Sequence, residues 1–234
     1  MPPIFPPRSN TFARASLVAI PLLLAAVIGF LVWWVHSSAF TKVGKTIPQP
    51  VPFPHSIHVS VVGLDCRYCH DSVDKSSFAS LPPTETCMSC HSQIKTDSPL
   101  LAPVRQSWET GNPVAWNRVN NLPDHVYFNH QIHVKKGVGC ETCHGRVDTM
   151  ATAVKANTFF MAWCLDCHRN PEKFVRPLDQ VYTMGYQPSE NQETLGARLV
   201  EEYDIQPANV LMDCSICQDR KSTRLNSSHM PVSR

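Results

Sequence analysis

Residues 128–144 read FNHQIHVKKGVGCETCH. The stretch opens on two histidines three residues apart, His130 and His133, and closes on Cys140-Glu141-Thr142-Cys143-His144. C-x-x-C-H is the attachment signal for c-type haem. Two thiols about one helical turn apart can each form a thioether with a haem vinyl group. The histidine that follows brings an imidazole to the same face, where it reaches the iron as proximal ligand. The closing motif recurs as Cys66-Arg67-Tyr68-Cys69-His70, Cys87-Met88-Ser89-Cys90-His91 and Cys164-Leu165-Asp166-Cys167-His168. A fifth pair, Cys214-Ser215-Ile216-Cys217, is followed by Gln218. Structural zinc also uses C-x-x-C pairs, but it does not require histidine after the second cysteine. Histidine is 11 of 234 residues, so four such followers by accident are improbable, and the five pairs use all 10 cysteines. The expectation is five haem c groups in the native protein and four complete motifs in this chain.

The opening element is also repeated. Phe53-Pro54-His55-Ser56-Ile57-His58-Val59 and Phe128-Asn129-His130-Gln131-Ile132-His133-Val134 both read F-x-H-x-I-H-V. Cys66 lies eight residues after His58 and Cys140 seven after His133, and each unit then holds a second motif, at Cys87 and at Cys164. The chain therefore uses a two-haem unit twice, over about 53–91 and 128–168, with the site at 214–218 outside the repeat. Two histidines at this spacing share a face of a helical turn and, slightly splayed, could serve two different haems. His55, His58, His130 and His133 are thus the expected distal ligands, opposite proximal His70, His91, His144 and His168. Histidine on both sides gives a low-spin iron suited to one-electron transfer. The fifth distal ligand stays open among His125, Met161 and Met184.

The 20 prolines, dense over 47–54, 81–83 and 99–123, leave little room for long helices or a sheet. The fold class expected is a mostly irregular and α-helical multihaem cytochrome c, with class III or c7-like two-haem repeats. Formal charge is +2 from 21 basic and 19 acidic residues. Each haem adds about two propionates, which makes the holoprotein acidic and argues against nucleic acid as a partner.

Residues 15–35, ASLVAIPLLLAAVIGFLVWWV, carry no charge and are long enough for one transmembrane helix. Arg8 and Arg14 precede them and Trp33-Trp34 close them, which puts residues 1–14 in the cytoplasm and the cysteines outside it. A cleaved signal peptide is the competing reading, since Ser37-Ser38-Ala39 resembles a cleavage site; its apolar region normally runs 7–15 residues. His36 reads as interfacial. Residues 36–52 form a proline-containing linker, and 53–218 form the haem domain. An amphipathic helix is expected from Ser189, as N-cap, to Tyr203, with Leu195, Leu199, Val200 and Tyr203 on one face. The tail 219–234 begins DRKSTRLNSSH, which reads as a translated sequencing adaptor. On that reading Gln218 is a truncated histidine codon, the fifth motif was C-S-I-C-H, and His229 and Met230 are not ligands.

The segments IFPPRSNTFARASL (4–17), QPVPFPHSIHV (49–59), DCRYCH (65–70), LPPTETCMSCHSQIKTDSPLL (81–101), VYFNHQIHVKKGVGCETCHGRVD (126–148), WCLDCHRNPE (163–172) and DCSIC (213–217) together resemble a known family. They are similar to the pentahaem cytochrome c subunits of alternative complex III, a bacterial quinol:electron-acceptor oxidoreductase. Gln218 departs from the pattern. The resemblance implies a single-pass protein of the bacterial inner membrane with its haems on the periplasmic side. It implies partners that oxidise quinol, an iron–sulfur subunit among them, and a monohaem cytochrome c or terminal oxidase as acceptor. The chain would then be an electron-transfer subunit rather than a catalyst by itself. Two alternatives stand beside it: a self-contained membrane-anchored quinol dehydrogenase feeding a periplasmic reductase, and a multihaem reductase of a small oxyanion.

Overall fold

The computed structural model describes residue 6 and residues 8–218. The 219–234 tail, with His229 and Met230, lies outside the described residues. The chain forms two units, Met1–Gly44 and Lys45–Arg234.

The first unit is dominated by one helix, Ser9–His36, of 28 residues. It begins ahead of the uncharged run, because the polar turn Ser9-Asn10-Thr11 continues the same hydrogen-bonding into it. At 1.5 Å per residue it is about 42 Å long. It is long and apolar enough to cross a membrane, and its Leu, Ile, Val, Phe and Trp side chains are exposed along its length. Pro21 sits within it. There it removes one backbone donor, a loss that ordinarily bends or breaks a helix.

The second unit has no strand among the described residues, only the isolated bridges Thr46–Val154, Val126–Gln218 and Val138–Val175. Its helices are short; Gln192–Glu202, at 11 residues, is the longest. The proline-rich insert nevertheless holds a nine-residue helix, Ala102–Thr110. Pro103 lies in its first turn, where the missing N–H has no intrahelical acceptor to lose. Gly111, at φ +72°, closes it in the left-handed region. This helix packs on the Thr84–His91 helix through Thr84 Oγ1 and Ser107 Oγ, 2.6 Å apart.

The apolar core of this unit is small. Val175, Leu195 and Leu199 are buried together, with Val138, Val200, Tyr203 and Ile205 packed around them. The expected face of the Gln192–Glu202 helix is therefore the buried one. Its cap differs from expectation: Asn191 Oδ1, not Ser189, accepts from Glu193 N at 2.9 Å and Thr194 N at 3.3 Å. Both residue types cap well, and hydrophobic spacing does not fix which polar residue closes the turn.

The two repeats dock reciprocally. The π-helical turn Ser56–Val61, which carries His58 with His55 at its head, sits on the segment after the third motif. Ser56 N donates to Met150 O at 3.0 Å and Ser60 Oγ to Asp148 O at 2.6 Å. The helix His130–Lys135 sits on the segment after the first motif, with His130 N on Ser77 O at 3.2 Å and Gln131 N on Ser76 O at 3.1 Å.

Candidate haem-attachment sites

Each C-x-x-C pair lies in a helical turn: Cys66–Cys69, Thr84–His91, Cys140–His144, Met161–Arg169 and Cys214–Cys217. The spacing of three then puts both thiols on one face. Aspartate caps the first and last of these turns. Asp65 Oδ1 accepts from Arg67 N and Asp213 Oδ1 from Ser215 N, each at 2.8 Å. The D-C-x-x-C string carried that signal in the sequence. No two of the ten cysteines are joined in a disulfide, which leaves all five pairs for thioether bonds to haem. Burial pushes the Cys143 thiol up to about 12 and the Cys167 thiol up to about 11.

The third motif is held most firmly. Arg176, itself buried, pairs with Glu141 at 3.0 Å, stacks over Tyr186 and donates to Thr183 O. Gly139 precedes Cys140 beneath that guanidinium, where a Cβ would come within 2.3 Å of Arg176 Cζ. Glu141 Oε2 also accepts from Gly185 N at 2.6 Å.

Six of the eight histidines share one device. Nδ1 of His58, His70, His91, His130, His133 and His168 lies 2.8–3.0 Å from the carbonyl oxygens of Pro54, Ser80, Ile94, Ser77, Asn129 and Leu211. A carbonyl can only accept, so each Nδ1 carries the proton and Nε2 keeps its lone pair for a metal. His144 differs: its Nδ1 lies 3.0 Å from Asn120 Nδ2, an amide nitrogen that donates, while Asn120 Oδ1 is buried with no hydrogen-bond partner. His55 Nδ1 is buried with no hydrogen-bond partner. Burial first, then neighbouring imidazoles, lowers His55 and His144 to about 4, and burial lowers His130 and His133 as well. These rings are neutral near pH 7, the form that binds metal.

The rings also meet in pairs. His58–His91, His130–His144 and His133–His168 have centroids 6.2, 6.4 and 6.2 Å apart. Two imidazoles on opposite sides of one metal ion, with bonds of about 2.0 Å and roughly 1.2 Å from nitrogen to ring centre, would stand about 6.4 Å apart. The donor set and its spacing therefore fit a six-coordinate haem iron. His55 and His70 are the remaining distal and proximal candidates of the repeat pattern. Phe53 and Phe128 brace the two pairs alike: each packs edge-on to the first histidine and stacks on the second, at 4.3–4.9 Å.

The three candidates for a fifth distal ligand are scattered. Met161 is exposed at the head of its helix, and Met184 adjoins Gly185 at the third motif. His125 is exposed and precedes Val126, which bridges Gln218. His36 bonds its own helix through Nδ1 to Val32 O at 2.9 Å. Sequence reasoning missed Asn120 and the carbonyl partners, because no residue type marks a backbone oxygen.

Residues 126–229 match the family model of cytochrome c7 and related cytochrome c. The chain is also 33% identical, over 138 residues, to the multihaem cytochrome c subunit of menaquinone reductase from Nitratidesulfovibrio vulgaris. That match covers 58% of this chain and 62% of the relative's length. Repeated C-x-x-C-H turns, paired neutral imidazoles, helices without a sheet and the family match converge: the chain carries a cytochrome c7-like domain whose cofactor is c-type haem.

Proposed function

We propose that this chain is the membrane-anchored multihaem subunit of a quinone-linked respiratory complex, carrying single electrons between the complex and a periplasmic partner. One observation carries the reading: three imidazole pairs stand 6.2–6.4 Å apart, most of their Nδ1 atoms held on carbonyl oxygens. Haem held by such histidine pairs would supply a one-electron couple. The chain's own residues do the rest. The cysteine pairs fix the macrocycle edges, with Cys214 and Cys217 serving the fifth group. His70, His91, His144 and His168 act as proximal ligands, and His55, His58, His130 and His133 as distal ones. The carbonyl partners keep the rings from turning, so little reorganises when charge changes. With a histidine pair assigned to each of these four haems, the chain would keep no position there for a small oxyanion, which argues against a reductase of that kind.

Membrane attachment is supported by the Ser9–His36 helix, with Arg8 and Arg14 at one end and Trp33 and Trp34 at the other. The arginines favour a periplasmic haem domain. An iron–sulfur subunit as neighbour, and a monohaem cytochrome c or terminal oxidase as acceptor, follow from the resemblance to alternative complex III. That resemblance favours electron flow out of quinol. The relative's name, a menaquinone reductase subunit, favours the reverse. The test is kinetic. The isolated chain, once chemically reduced, should reduce soluble cytochrome c, and in its oxidised form it should not oxidise quinol. Quinol oxidation by the chain alone, abolished by His36→Ala, would instead establish a self-contained quinol dehydrogenase. The native complex assayed with quinol plus oxidised cytochrome, and with menaquinone plus reduced cytochrome, decides direction.

A further inference from the structure

Resting on the haem reading above, we infer that the attachment sites are ordered in space second–first–third–fourth–fifth, so the chain's two repeats join through their first sites.

Within each repeat the order follows from the shared histidine pair. His58 faces His91 of the second motif, which leaves His55, three residues before it, for His70 of the first. The first and second motifs touch directly: Tyr68 Oη and Ser89 Oγ are 2.9 Å apart. In the other repeat His130 faces His144 of the third motif and His133 faces His168 of the fourth. Because these partners sit three residues apart on one short helix, the third and fourth sites must be neighbours.

The junction is set by the reciprocal docking. Each repeat's histidine pair rests on the segment following the other repeat's first motif, at Asp148 and Met150 in one direction and Ser76 and Ser77 in the other. Residues 181 and 182 clamp the same two motifs. Val181 O accepts from Cys140 N at 3.1 Å, while the Arg67 guanidinium lies 4.5 Å over the Tyr182 ring. The second motif's helix turns elsewhere, packing on Ala102–Thr110.

The fifth pair extends the far end. Its preceding turn, Ala208–Leu211, packs on the fourth motif's helix and offers Leu211 O to His168 Nδ1 at 2.9 Å. Cys217 O accepts from Tyr127 N at 2.8 Å, just ahead of the His130–His133 pair. Exposure agrees independently. Of the ten cysteines, Cys90 and Cys214 are the exposed ones, and they belong to the second and fifth motifs, the two ends. A donor and an acceptor therefore have their shortest approach beside Cys90 and Cys214, not at the first and last sites met along the sequence.

The test is the iron arrangement in the full, haem-loaded chain carrying Gln218→His, located by anomalous scattering at the iron edge. The expected result is that the first-motif iron has both the second- and third-motif irons as nearest neighbours, with the fifth beyond the fourth. A second-motif iron closer to the third than the first-motif iron is would overturn the order. Failure to bind haem at all is a different result, and it overturns the cofactor reading beneath. A measurement in solution tests the same order. In the Cys87→Ser/Cys90→Ser chain, the remaining midpoint potential that moves most should be the one absent from the Cys66→Ser/Cys69→Ser chain. Movement confined to the third site would count against the order.

Discussion

His133 Nδ1 lies 2.8 Å from Asn129 O and His168 Nδ1 2.9 Å from Leu211 O, while the two rings face each other 6.2 Å apart. Each bond fixes a tautomer and hinders the ring from turning, so both Nε2 atoms keep a lone pair for a metal. Removing one ring should then change one iron and leave the others alone. His133→Ala is expected to convert about one site from low-spin to high-spin, visible by absorption and electron paramagnetic resonance, and to create one CO-binding position. A spectrum unchanged from the parent chain would reject distal ligation by His133. The ligands were legible in the sequence because cysteine and histidine carry the chemistry in their side chains, and the repeat singled out the H-x-x-H pairs. Their anchors were not. Pro54, Ser77, Ser80, Ile94, Asn129 and Leu211 act through main-chain oxygen, which every residue has.

Elements in the second unit are short because prolines and haem motifs interrupt them, so the exceptional helix, Gln192–Glu202, matters to the fold. Leu195 and Leu199 are buried against Val175, and Gly196 between them faces the Glu172 carbonyl. A Cβ at position 196 would stand 1.8 Å from that oxygen. Backbone cannot step aside as a side chain can, so the helix would have to lift off the Pro171–Lys173 turn. Gly196→Ala is expected to destabilise the domain by about 3 kcal/mol, the upper range for overpacking, despite alanine's better helix propensity. Thermal melting followed at the haem absorption would measure it; a gain in stability would show that the close approach is not maintained in solution. The hydrophobic period revealed this helix and its buried face. It did not reveal the glycine contact, since Glu172 approaches from a segment twenty-four residues earlier and nothing in the spacing of Leu195 and Leu199 specifies it. The π-helical turn at Ser56–Val61 was equally hidden. It has the same F-x-H-x-I-H-V string as the α-helical His130–Lys135, and the two strings continue differently, with Ser60, Val61 and Val62 in one repeat and Lys135 and Lys136 in the other. β-Branched residues fit an α-helix less well than lysine does.

At the scale of the molecule, the chain combines a small apolar core with a long exposed apolar helix, and each is explained by a different surrounding. Val175, Leu195 and Leu199 with their neighbours are a modest core for the Lys45–Arg234 unit, as expected of a domain in which bound haems would supply much of the apolar packing. Ser9–His36 buries none of its residues within the chain. Its exposed leucines, isoleucines and valines are stable in water only at a cost of about 25 cal/mol for each Å² left unburied, a cost that lipid removes. A helix of about 42 Å exceeds the roughly 30 Å of a bilayer's hydrocarbon core, so on the proposed anchor reading Arg8 and Trp33-Trp34 would lie at the two interfaces. A signal peptide would need no such length. The full chain, matured in a bacterial host, is therefore expected to sediment with inner membranes and to be released by detergent but not by high salt. Replacing residues 1–36 with a cleavable leader should yield a water-soluble domain with unchanged haem spectra. Intact mass decides between anchor and leader directly: a mature chain that retains Ser9–His36 supports the anchor, and one that begins near Ala39 rejects it.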